Sequence, residues 1–144
     1  MKKYCLILLV MLSSPVFSQD WNTDFEKAKA DAAAQNKNIL MVFSGSDWCA
    51  PCIKLEKNIW ESAEFKEESL KSWVLMKVDF PKKKANQLPE ALKEKNLILV
   101  EKYNKDGFFP FVLVLDKNGK ILGKTGYENM KPVEYIQLLH SFEK

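Results

Sequence analysis

Two cysteines three positions apart, Cys49 and Cys52 in "SGSDWCAPCIKLEK", are the residues of this chain most able to do chemistry. Thiols at that spacing can hold a metal, staple the chain or exchange electrons. A structural zinc asks for four N or S ligands. Here a second CxxC is absent and the one histidine, His140, is distant in sequence, so no metal site is expected. As a staple, so small a ring does little, because the entropic benefit of a disulfide grows with loop length. Electron exchange needs a thiolate and a partner thiol. A helix beginning at Cys49 would supply both: unpaired N–H groups and the positive end of the helix dipole stabilise the thiolate. Cys52, one turn on, would resolve the mixed disulfide. The expected arrangement is an exposed Cys49, a buried Cys52 and a helix start beneath them.

The flanking sequence contains elements able to hold that arrangement. The run "ILMVF", 39–43, is apolar throughout and of strand length, suited to a central strand covered on both faces. A polar loop over 44–48 follows it. Upstream, "DFEKAKADAAAQNKN" has Phe25, Ala28, Ala32 and Ala33 near helical spacing, with Asn22 or Thr23 as cap and Asn36 and Asn38 at the end. Ser62 caps a second amphipathic piece after the cysteines, and "WVLMKVDF", 73–80, is the next strand. Consecutive Lys82, Lys83 and Lys84 read as a solvated loop ahead of a helix that runs through 97–103 and turns at Gly107. "FFPFVLVLD" enters a strand through Pro110, Asn118-Gly119 signals a hairpin, and a last amphipathic helix has Pro132 in its first turn. The order α–β–α–β–α–β–β–α predicts a single α/β domain, a mixed central sheet with helices on both faces. The first two strands are expected parallel and the last two antiparallel.

Residues 1–18 carry Lys2 and Lys3, a short apolar run and small residues ahead of Gln19. That is the layout of a secretory signal peptide, and the apolar run is about half of what a membrane span needs. The expected division is a signal peptide over 1–18 and one domain over 19–144, located in the periplasm. Without that segment 20 of the 22 lysines remain against 19 acidic residues, and the chain has no arginine. A near-neutral chain of this kind offers no electrostatic footprint for nucleic acid. Cys5 leaves with the segment, so Cys49 and Cys52 meet alone in an oxidising compartment.

"DWCAPC" behind "ILMVF", with "GFFPFVLVLDKNGK" downstream, resembles the thioredoxin-like superfamily across nearly all of residues 20–144. "SDWCAPCIKLEKNIWESAEF" is similar to exported bacterial thioredoxin-like proteins and to the C-terminal domain of the transmembrane thiol–disulfide interchange protein. The resemblance implies a thioredoxin-like fold, Cys49 as nucleophile, Cys52 as resolving thiol, Trp48 at the border of the site, and Pro110 as a cis-proline facing the disulfide. A cis bond there would free the Phe109 backbone to pair with an extended substrate, so Trp48, Phe109 and Pro110 are the expected substrate-binding residues. Where many thioredoxins bury an aspartate in the preceding strand, this chain has Val42. Glu56 matches an acid one turn beyond the second cysteine in the interchange-protein domain. It is the expected third catalytic residue, accepting a proton from Cys52, against the alternative of a solvated helix glutamate. Asp47 is expected to be exposed and outside the chemistry. Phe108 and Phe109 either widen an apolar rim or fill the core.

The activity implied is a monomeric thiol–disulfide oxidoreductase without a cofactor, acting on disulfides of exported proteins. Ala50-Pro51 between the cysteines is nearer the Gly-Pro of reducing thioredoxins than the histidine-containing pair of oxidants, so the expected direction is reduction. A reductase in an oxidising compartment needs electrons from a membrane-embedded thiol–disulfide donor. The competing reading is a copper-binding or other thiol-based binding protein on the same fold. His140, on the last helix, is badly placed to join such a site.

Overall fold

The computed structural model describes residues 19–144; the expected signal peptide lies outside them. At the middle of the sheet is β2 (Asn38–Ser44), seven residues without a charge. Alternate side chains leave opposite faces of a strand, and in β2 both sets are apolar. Ile39, Met41 and Phe43 enter one core with Ala28, Ala32, Leu99 and Tyr103. Leu40 and Val42 enter a second with Leu55, Trp60, Phe65 and Tyr135. Helices α1 (Phe25–Gln35) and α4 (Glu90–Tyr103) therefore cover one face. On the other lie α2 (Ala50–Leu55), α3 (Ala63–Ser72) and α5 (Pro132–Ser141).

Strand order is β1-β3-β2-β4-β5, with β1 (Trp21–Asn22), β3 (Trp73–Asp79), β4 (Phe111–Leu115) and β5 (Ile121–Thr125). β2 runs parallel to β3, pairing Asn38 with Trp73 at one end and Ser44 with Asp79 at the other. It runs antiparallel to β4, which pairs antiparallel with β5. The mixed sheet with helices on both faces is thus as expected. The hairpin is closed by Asp116 N–H to Lys120 O at 2.9 Å and turned by Gly119 at φ 85°.

Three local readings differ. β1 was not expected, because two residues are too few to show a period; it pairs parallel with β3, Trp21 opposite Leu75. Its presence displaces the cap of α1. Asn22 is taken up in the strand, and Asp24 accepts the Lys27 N–H at 3.0 Å instead. At the far end Asn36 adopts the left-handed region at φ 51° and closes α1, whereas Asn38 already belongs to β2.

Candidate active site

The chain leaves β2 at Ser44 and turns tightly before α2. Cys49 N–H reaches Gly45 O at 2.9 Å and Trp48 N–H reaches the same carbonyl at 3.2 Å. The turn closes against the Trp48 indole, so a Cβ on Gly45 would come within 2.7 Å of Trp48 Nε1. Two anchors tie the loop to the end of β3: Ser46 donates from its N–H (3.0 Å) and its hydroxyl (2.6 Å) to the Asp79 carboxylate. A third is Trp48 Nε1, which donates to Phe80 O at 2.7 Å.

Cys49 is the N-cap of α2, with Pro51 in the first turn. Its Sγ accepts the Cys52 N–H at 3.3 Å, and Cys52 Sγ accepts the Gly45 N–H at 3.5 Å. A helix start beneath the first sulfur is therefore present, with backbone donors aimed at both sulfurs. The two cysteines form a disulfide with Cα atoms 5.2 Å apart. Cys49 is only 5% exposed and Cys52 4%. The expected exposed Cys49 is not found, because its sulfur is turned back over its own helix, bonded to Cys52 and capped by the Cys52 amide.

After Leu55 the helix widens into a π-helical turn, Glu56–Trp60, closed by Glu61 N–H to Glu56 O at 2.9 Å. The widening lets consecutive Ile59 and Trp60 both enter the core. Glu56, at its start, lines a cleft of about 360 Å³ together with Cys52, Ser44, Ser46 and Lys77. Its carboxylate pairs with Lys77 Nζ at 2.8 Å, with side chains 38% and 23% exposed. The structure thus brings Glu56 and Cys52 to one cleft. Sequence reasoning missed Lys77, which stands in register opposite Val42, the strand position without an acid. Its signal was legible: it is the one charge inside the apolar run 73–78, and a half-buried ammonium calls for a partner.

The Phe109–Pro110 peptide bond is cis and Pro110 is buried. Asn104 clamps the turn before it, donating from Nδ2 to Phe108 O (2.8 Å) and accepting the Phe108 N–H (2.9 Å). Phe109 packs its ring on Trp48 at 5.6 Å between centroids and on Phe80 at 5.8 Å, joining the cis turn to the cysteine loop. Phe108 is exposed and rests on Phe111. The two phenylalanines divide the alternatives: Phe109 fills in behind Trp48 while Phe108 faces outward.

Asp47 is half-buried rather than exposed, for a reason the sequence did not signal. It accepts the N–H groups of Lys82 and Lys83, each at 2.9 Å, and Asn86 Nδ2 at 3.0 Å. These donors, the Lys82 amide foremost, hold its carboxyl below the usual aspartate value. His140 stacks on Trp73 at the opposite end of β2 and β3. Seven residues of strand, about 20 Å, separate it from the cysteines, and no cluster of three or more His, Cys, Asp or Glu able to hold a metal ion occurs among the described residues.

The thioredoxin-like family model matches residues 20–117. The disulfide bond reductase DsbH of Chlamydia pneumoniae is 34% identical over 81% of this chain and 69% of its own length. A solved DsbH oxidoreductase superposes with a TM-score of 0.81 at 31% identity, covering 92% of this chain and 91% of that one. The oxidised C-terminal domain of DsbD from Neisseria meningitidis shares the fold at a TM-score of 0.54 and 17% identity, over 86% of this chain and 98% of that domain. The chain belongs to the thioredoxin-like family. Within it, the Cys49–Cys52 disulfide on the helix start makes it a thiol–disulfide oxidoreductase with a CxxC redox centre.

Proposed function

We propose that the protein is an exported reductase of disulfides in other exported proteins, with residues 1–18 as its signal peptide and the periplasm as its compartment. The observation that carries this reading is the Cys49 sulfur at the N-cap, 3.3 Å from the Cys52 amide. Reduced, Cys49 is a thiolate that attacks a substrate disulfide, forming a mixed disulfide and releasing the first substrate thiolate. Cys52 then loses its proton and attacks Cys49 Sγ, which releases the second substrate thiolate and regenerates the closed pair. Two electrons pass from the dithiol to the substrate.

Glu56 takes the proton from Cys52, and Lys77, 2.8 Å from its carboxylate, holds that acceptor in the cleft. The Phe109 backbone before cis-Pro110 pairs with an extended substrate segment, and the Trp48 ring covers its side chains. The direction is supported by Ala50-Pro51 between the cysteines and by the reductase activity named for the Chlamydia relative. A membrane-embedded thiol–disulfide protein returns the electrons, and the enzyme works as a monomer.

The deciding measurement is the potential of the Cys49–Cys52 couple equilibrated against glutathione. The proposal expects the reducing half of the span from about −270 mV to about −120 mV. A value near the oxidising end would reverse the direction. Ultraviolet titration of the reduced protein should find Cys49 ionised below pH 8; a sulfur still protonated there would remove the nucleophile.

A further inference from the structure

The lysine run 82–84 is the solvated loop its composition suggests, with all three side chains exposed, but its backbone is held. Its backbone hangs from Asp47, whose two carboxylate oxygens are occupied by Lys82 N–H, Lys83 N–H and Asn86 Nδ2. Gln87 Nε2 braces the loop from inside, donating to Pro81 O at 3.1 Å and Lys83 O at 3.3 Å. At the entry, Phe80 N–H is fixed to Ser44 O at 2.9 Å and Phe80 O holds the Trp48 indole. With its backbone held on both sides, Lys82 places Nζ 4.0 Å from the centroid of the Trp48 ring. Trp48 directly precedes the redox cysteine. The lysine on the other flank of the disulfide, Lys77, is neutralised by Glu56; Lys82 has no carboxylate partner among the described residues. One rim of the site thus carries a positioned ammonium that is paired with no carboxylate of the described residues.

We propose that Lys82 is a specificity-determining residue, held over Trp48 by Asp47 as its positioning residue, and that its ammonium favours disulfides flanked by carboxylates. The proposal rests on the exchange chemistry above and adds the class of substrate. An anionic group beside the scissile bond meets the ammonium as the two sulfurs approach, and attraction of this kind raises encounter rates and fades with salt. The redox step is unchanged: the reduced Cys49–Cys52 pair gives two electrons to the substrate disulfide and becomes a disulfide itself.

The test compares pre-reduced protein reacting with oxidised glutathione (anionic), hydroxyethyl disulfide (neutral) and cystamine (cationic), followed by stopped flow at low and high salt. In Lys82→Gln the ratio of the glutathione rate to the cystamine rate should fall about three-fold at low salt, the size of a single exposed charge contact. High salt should narrow the difference. Lys82→Arg should restore the ratio, and Asn86→Ala, which removes a donor to Asp47 without changing charge, should lower it part of the way by loosening the loop. Lys71→Gln, which removes a lysine from α3, should match the wild type. A ratio indifferent to Lys82, an equal loss for all three disulfides, or an equal fall in Lys84→Gln would overturn the proposal. Failure of the wild type to reduce any of the three would overturn the exchange reading itself, an outcome distinct from those.

Discussion

The two ends of strands β2 and β3 carry similar side chains and use them in opposite ways. At the end where Asn38 opposes Trp73, Glu143 Oε1 accepts from Trp73 Nε1 at 2.9 Å and from Asn38 Nδ2 at 2.8 Å. His140 lies on the Trp73 ring, 4.7 Å between centroids, with its two nitrogens 2.7 Å from Glu143 and 2.9 Å from Glu68. Asn38, Trp73, His140 and Glu143 are thus joined in one cluster, and Trp73 is 3% exposed. At the other end, where Ser44 opposes Asp79, Trp48 also has its indole N–H committed, yet the residue stays 39% exposed beside the disulfide. A tryptophan fixed by a hydrogen bond can seal an end or form a rim; the difference lies in whether the closing helix covers its face.

That contrast can be broken at either end, and the largest effect is expected at the disulfide. Cys49→Ser should abolish insulin reduction while leaving the thermal transition of the fully reduced protein nearly in place; residual turnover above background would remove Cys49 from the chemistry. At the sealed end Trp73→Ala should cost about 3–5 kcal/mol in urea unfolding, as for other buried aromatic truncations. The exchange rate of the remaining folded molecules should be unchanged, and a lost rate at full stability would show that the two ends are not independent. A smaller effect is expected from Glu56→Gln. The mixed disulfide formed by Cys49 should live at least about tenfold longer in single-turnover experiments, with the initial attack unaltered. An unchanged lifetime would return Glu56 to the status of a solvated partner of Lys77.

The smallest effect concerns acid. Donation from the Ser72 hydroxyl, and then contact with His140, hold the Glu68 carboxyl below its ordinary value. A carboxylate with a depressed folded pKa stabilises the fold above the unfolded value of 4.5 and loses that contribution as pH falls through the folded one. The melting temperature should therefore drop more steeply below about pH 4.5 in the wild type than in Glu68→Gln, with a difference worth under about 1 kcal/mol for so partly exposed a group. Parallel curves would remove Glu68 from the acid response.

Much of this was legible in the chain itself. The apolar run 39–43 announces a strand covered on both faces, and Asn118-Gly119 announces its hairpin, because each pattern has one low-energy reading. Cys49, Cys52 and Glu56 meet along one helix and its widened turn, so spacing alone brought them together. What spacing cannot carry is contact between elements. Lys77 faces Glu56 across 21 residues, and Asp47 captures a loop 35 residues on. Both depend on the parallel register of β2 and β3. The two-residue β1 escaped for the opposite reason, being too short to leave a pattern.

The sheet finishes in two unequal borders. Two-residue β1 offers a stranger's backbone scarcely any rungs, and β5, at the far border, has Lys120 before it and Lys124 within it. Short or lysine-bearing borders discourage edge-to-edge growth. On the proposed reading the clients are other polypeptides, and both outer strands are built to part from each one rather than to take it into the sheet.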